Sequence, residues 1–239
     1  MLKKKIFILI LLIVSSYSCT TPEVEKSNFD FFAEQFEDIK VLRYQVPGFE
    51  ELTLKQKKLV YFLTEAGLAG RDIMYDQNYR HNLSIRRALE NIYTKYKGDK
   101  DNKNWKNFEI YLKRIWFSNG IHHHYSNDKF IPGFSDEYLQ SLLSDTETSL
   151  NSDALDIIFD DKDSKKVNRD ASKGLVIGSA VNFYGEDVTE KDVDTFYNIM
   201  KSPDPNKPLS LGLNSKLVKE DGKLIEKIYR VDGMYSNSI

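Results

Sequence analysis

The sequence predicts an α+β protein, mainly helical in its first half and closing with short strands and a β-hairpin. Three observations carry this. Capped runs with apolar residues every three or four positions recur between Thr53 and Phe159. That periodicity gives way to β-rich runs after Lys173. Near the end, two such runs flank Glu220-Asp221-Gly222, and Asp-Gly is the dipeptide that tight hairpin turns favour.

Taken in order, Asn28–Phe36 places Phe29, Phe32, Ala33 and Phe36 at helical spacing with Asn28 as N-cap, and predicts a short helix. Ile39–Val46 alternates and stops at Pro47-Gly48, as a strand would. Thr53–Ala69 is the cleanest helix. Thr53 and Gln56 form a capping box, Leu59, Phe62, Leu63 and Ala66 make a stripe expected to be buried, and Gly70 follows as the C′ residue. Arg71–Tyr79 reads as a second short helix and Leu83–Tyr96 as a third, with Ile85, Leu89, Ile92 and Tyr93 inward. Asp99–Lys106 is polar and reads as a connection before the helix Phe108–Phe117. Ser135 caps a helix through Leu143, and Ser152 another through Phe159. Asp160–Lys173 is charged and aperiodic, as a solvated loop is. Leu175–Phe183 reads as a strand. Thr189 caps a helix over Val193–Met200, and three prolines stiffen Ser202–Pro208. Leu209–Lys219 and Lys223–Val231 form the hairpin.

The 239 residues are 41% hydrophobic and 29% charged, an ordinary composition with enough apolar material for a core. The formal net charge of −2 gives no electrostatic footprint for nucleic acid, which is not an expected partner. Residues 1–19 read as a signal peptide: Lys3-Lys4-Lys5 is a basic leader, and Ile6–Val14 is apolar but too short to span a bilayer. Cys19, the single cysteine, follows Ser18 directly after that run and resembles a bacterial lipoprotein cleavage site. Ser16 stands where such sites carry leucine, so lipidation and ordinary cleavage both stay open. The expectation is an exported bacterial lipoprotein, periplasmic or on the outer-membrane side, held to the membrane by an N-terminal lipid. Residues 20–27 would form its tether, with 28–239 as the folded part. A single cysteine excludes disulfides within the mature chain.

The most informative stretch is Trp116–Pro132, a helix end running into a loop of aromatics, imidazoles and amides. Such a loop offers stacking faces and hydrogen-bonding groups to an extended polar ligand such as a peptide. Anchored at Ser118-Asn119 and Lys129-Phe130-Ile131-Pro132, it resembles the Tyr-Ser-Asn…Lys-Phe-x-Pro segment of dipeptidyl peptidase III, a family of zinc-dependent peptidases. Ile39–Phe49 and Arg71–Tyr79 resemble the bacterial branch of that family. Ala180–Val193 is similar to its short strand and capped helix, and the hairpin at Asp221-Gly222 to the end of its N-terminal region. The similarities run in order from about Asn28 to Tyr235.

The resemblance implies the start of the lower lobe of a two-lobed enzyme that releases dipeptides from peptide N-termini, with zinc activating water. It implies short peptides as ligands, with Tyr125, Ser126, His124 and Asn119 on the wall of the peptide cleft. It also implies a zinc-bearing lobe as structural partner. The family's zinc helix reads His-Glu-x-x-Gly-His or one residue longer, and this sequence contains no His-Glu pair. The chain is therefore expected to hold no catalytic residue and no metal ligand, and to be inactive alone, as the N-terminal, substrate-side portion of such an enzyme. The competing expectation is a non-enzymatic surface lipoprotein that binds peptides.

Other chemistries fare worse. Three adjacent residues such as His122-His123-His124 fan apart on a helix by about 100° each and cannot close on one ion. A nickel or zinc scavenger would need more ligands than the sequence shows. Arg71, Asp72 and Asp76 beside Tyr75 and Tyr79 read as structural charges, and Glu50 and Glu51 as solvent-facing acids before the Thr53 helix. There is no Gly-x-Ser-x-Gly elbow, and Gly174…Gly178 lacks the Lys-Ser/Thr of a phosphate loop.

Overall fold

The computed structural model describes residues 29–126, 128–162, 166–174, 176, 178–200, 204, 206–207 and 214–230. The chain divides between Pro47 and Gly48 into two compact units. The expected fold class holds: a helical stretch is followed by a terminal hairpin.

The first unit is a β-hairpin rather than the expected helix. Strand β1 (Phe32–Phe36) pairs antiparallel with β2 (Ile39–Leu42) around Glu37-Asp38, where Glu37 takes a positive φ of 47°. The helical spacing of its apolar residues is overridden by pairing: the neighbouring strand supplies partners for Phe32, Glu34, Gln35 and Phe36. Arg43 closes the open end, its amide donating to the Phe31 carbonyl at 2.8 Å. The strand expected over 39–46 is real but ends at Leu42. Asn28, the expected cap, lies outside the described residues.

The second unit opens with a 3-10 turn (Phe49–Glu51) and helix α1 (Leu54–Ala69). The Thr53–Gln56 capping box forms as the sequence requires. The stripe does not pack: Leu59, Phe62 and Leu63 are 58%, 65% and 63% exposed, and α1 buries no residue. Its apolar residues are not confined to one face. Leu59-Val60-Tyr61-Phe62-Leu63 circle the helix, and no single neighbour could cover them. Gly70 is right-handed (φ −76°) rather than left-handed, so the chain passes through it directly into α2 (Arg71–Asn78).

The core lies in the next four helices, joined by Tyr75 of α2. Helix α3 (Asn82–Lys95) contributes Ile85, Leu89 and Ile92, all fully buried, and α4 (Lys103–Ser118) contributes Trp105, Phe108, Leu112 and Ile115. Helix α4 begins five residues before the expected start because Asn102 caps it, accepting from the Trp105 amide at 2.9 Å. Trp105 then stacks on Tyr96, ring centroids 4.6 Å apart. Helix α5 (Asp136–Asp145) starts at Ser135 as expected and adds Leu139 and Leu142. Helix α6 (Ser152–Phe159) is capped by Asn151 rather than Ser152 and adds Ala154 and Ile158.

The strand expected over 175–183 is absent from the described part of that segment; Leu175 and Ile177 lie outside it. Local turns absorb the backbone instead: Gly178 donates to the Gly174 carbonyl, and Ser179 to that of Val176. The extended contact comes one residue later, where Tyr184 forms a single parallel bridge to Leu217. Helix α7 (Glu190–Ile199) follows a Thr189–Asp192 capping box. Strands β3 (Ser215–Glu220) and β4 (Lys223–Ile228) pair around Asp221-Gly222, both with positive φ, as the Asp-Gly signal requires. Ser202, Pro203, Pro205 and Pro208 of the proline segment, residues 209–213, and Val231 lie outside the described residues.

A buried polar network joins the hairpin to α2. Asp76 accepts from the Tyr229 hydroxyl at 2.6 Å and from Asn182 Nδ2 at 3.1 Å, and Lys216 Nζ donates to Asn182 Oδ1 at 2.5 Å. Gln77 donates to the Ser215 carbonyl at 3.3 Å. Burial presses the Lys216 ammonium below its ordinary pKa, while Asp76 and Glu186 pull it back. Among the described residues no helix is long and apolar enough to cross a membrane.

Candidate functional site

The candidate loop is fixed at its root by the end of α4. Asn119 takes the left-handed conformation (φ 52°), and the Gly120 amide returns to the Ile115 carbonyl at 3.1 Å. Gly120 itself has φ 149°, and a Cβ there would overlap the carboxamide of Asn82. That carboxamide is the clamp of the loop. Asn82, 1% exposed, accepts from the Ile121 amide at 3.0 Å and donates to the Tyr75 carbonyl at 3.2 Å. Asn78 adds a bond from Nδ2 to the Asn119 carbonyl at 3.0 Å.

Beyond the root, the loop folds back on itself. His122 bridges Lys129 antiparallel, His123 N donates to the Asp128 carbonyl at 2.6 Å, and Phe130 N donates to the Ile121 carbonyl at 2.8 Å. Lys129 binds the end of α6, its ammonium reaching the Ile157 carbonyl at 2.6 Å and also that of Asp160. Phe130 lies under the Arg114 guanidinium, 5.4 Å from ring centre to charge.

The histidine run is split among three tasks. His122 is 2% exposed and packs edge-on against Tyr79. His123 Nδ1 accepts the amides of Tyr125 (3.1 Å) and Ser126 (3.0 Å), which fixes the turn at the tip. Both bonds require Nδ1 to be its unprotonated nitrogen. His124 sits between the Phe117 ring (4.9 Å) and the Tyr125 ring (4.2 Å), with Nδ1 3.4 Å from the Ser118 hydroxyl. Partial burial, then His123, then Lys166 hold its pKa below the ordinary histidine value.

Of the four expected ligand-facing residues, His124, Tyr125 and Ser126 share the tip of this turn. Tyr125 is 84% exposed, an aromatic ring in water on a backbone pinned from beneath. Asn119 is on the other side of the root, where its Oδ1 receives Arg71 at 3.4 Å. Sequence reasoning missed Asn82 and Asn78, and named Arg71 only as a structural charge. An asparagine in the first turn of a helix reads as a cap, and only the fold turns this one inward. Cys19 lies outside the described residues.

Among the described residues no group of three or more His, Cys, Asp or Glu side chains could hold a metal ion. No protein-family model matches the chain, and no curated protein matches it.

Proposed function

We propose that this chain is the substrate-side part of a dipeptidyl peptidase III-like enzyme, with the loop 118–132 as a wall for a bound peptide. The family assignment comes from the ordered sequence similarities. The observation that carries the binding role is Tyr125: a solvent-facing ring on a loop that His123, Asn82 and Lys129 hold in one shape. Preorganised aromatics bind with little loss of conformational entropy. Ser126 supplies a hydroxyl beside it for the peptide backbone, and His124 a ring nitrogen. The uncovered apolar surface of α1 further supports a chain that packs against more polypeptide.

In this reading, zinc activates water for dipeptide release on residues outside these 239, and this chain binds and orients the peptide. Export and attachment through Cys19 belong to the same proposal. The test is an immunoblot and activity assay on the native protein, using an antibody raised against residues 28–239. The expected result is a species longer than this chain that releases dipeptides and stops when zinc is chelated. A band of this chain's own size with no hydrolysis would overturn the enzyme assignment.

A further inference from the structure

One cavity of the helical unit adjoins the candidate loop without belonging to it. It is an open cleft of about 460 Å³ lined by Arg71, Asp72, Tyr75, Arg86, Glu90 and Trp116. That volume is in the range of small-ligand pockets, ~300–1,000 Å³.

Its charges are unevenly satisfied. Asp72 takes Arg86 at 2.7 Å and Arg87 at 2.8 Å. Glu90 takes Arg86 at 3.3 Å and the Trp116 indole N–H at 2.8 Å. Asp72 thus has two cationic partners, whereas Glu90 accepts from the indole alone: Arg86 Nε, though 3.3 Å away, makes no hydrogen bond, and the guanidinium lies 4.5 Å over the Tyr75 ring. Arg71 differs. Its hydrogen bonds go to neutral oxygens, the Trp116 carbonyl and Asn119 Oδ1, each at 3.4 Å, near the limit of useful length. A guanidinium carries five N–H donors in a planar fork that matches a carboxylate, and Arg71 is exposed, so most of its fork faces solvent and is open to a ligand.

We propose that this cavity binds the carboxylate of a peptide ligand, with Arg71 as its forked donor and Tyr75 and Trp116 as the flanking walls. The inference rests on the peptide-binding reading above. Arg71 shares Asn119 with the root of the loop, and the adjacent Ser118 meets His124 beneath Tyr125. Ser118 and Asn119, neighbours in sequence, thus touch the loop tip and the cavity's arginine respectively. A C-terminal carboxylate and an Asp or Glu side chain offer the same chemistry.

The test is calorimetric titration of the full chain with a hexapeptide as free acid, as C-terminal amide, and as amide with one internal glutamate. The free acid is expected to bind about 10-fold more tightly than the plain amide, as a charge-assisted hydrogen-bond pair would give. Recovery of that tightness by the glutamate peptide would assign the cavity to side-chain carboxylates, and no recovery to the C-terminus. Arg71→Gln should erase the acid–amide difference, while Arg71→Lys should keep part of it. An acid–amide difference that survives Arg71→Gln overturns the proposal. Equal binding of acid and amide, still weakened by Tyr125→Ala, overturns it while the peptide-binding reading stands. If none of the peptides binds, both fall.

Discussion

Asn82 is the residue on which the candidate site most depends, and its removal makes a quantitative test. Asn82→Ala takes away the acceptor of the Ile121 amide, a donor at 3.0 Å in a residue with no exposure. A buried N–H left without a partner costs about 1–3 kcal/mol. The Tyr75 carbonyl also loses its 3.2 Å donor, worth about 1 kcal/mol more. The sum is a destabilisation of about 2–4 kcal/mol, or about 4–15 °C in Tm for a unit of this size. Urea unfolding followed by tryptophan fluorescence reads it, with Ser84→Ala on the same helix as an exposed control. Asn82→Asp sharpens the test. It keeps an acceptor for Ile121 but sets a carboxylate oxygen against the Tyr75 and Asn119 carbonyls, so it should destabilise at least as much as Asn82→Ala. An Asn82→Ala protein within about 0.5 kcal/mol of wild type would refute the clamp, because surface substitutions that touch nothing fall in that range.

The other expectations concern packing and titration. Leu63→Ala on α1 should change stability by less than about 0.5 kcal/mol, whereas Leu89→Ala in α3 should cost about 2–5 kcal/mol, both read by urea unfolding. An equal cost at the two sites would mean that α1 is buried in solution. His124 should titrate below the ordinary histidine value near ~6.5 in an NMR pH series. The sign follows from linkage: the folded protein binds fewer protons at His124, so this contribution is full above ~6.5 and falls as pH drops toward the folded value. Lys166→Met should move that midpoint upward, since Lys166 is one of its repelling charges. Asp192, hydrogen-bonded to Lys219 Nζ at 2.6 Å and to Thr189, is held below the usual carboxylate range. Its contribution is therefore present above ~3.9 and lost on further acidification, and Lys219→Ala should raise its NMR midpoint.

Local chemistry was legible residue by residue. The capping box at Thr53–Gln56, the caps at Thr189 and Ser135 and the Asp221-Gly222 turn all form where the sequence places them. Each is settled within four residues by a side chain meeting its own backbone, and needs no distant partner. The inward positions of α3 were legible too, because a narrow apolar stripe admits one packing face. Asn28–Phe36 failed for the opposite reason. Its spacing is helical, but the outcome fell to a pairing with Ile39–Leu42 that the spacing does not show.

The sequence by itself determined the α+β class, most helix bounds and the aromatic, amide-rich loop after α4. Only the tertiary structure decided that α1 stands uncovered, that three consecutive histidines serve three different partners, and that Arg71, Asn78 and Asn82 hold the loop from beneath. The physical reason is range. Caps and turns are short-range bonds fixed by neighbours in sequence, whereas burial and the direction of a side chain depend on residues about forty positions away that only the packed core brings together.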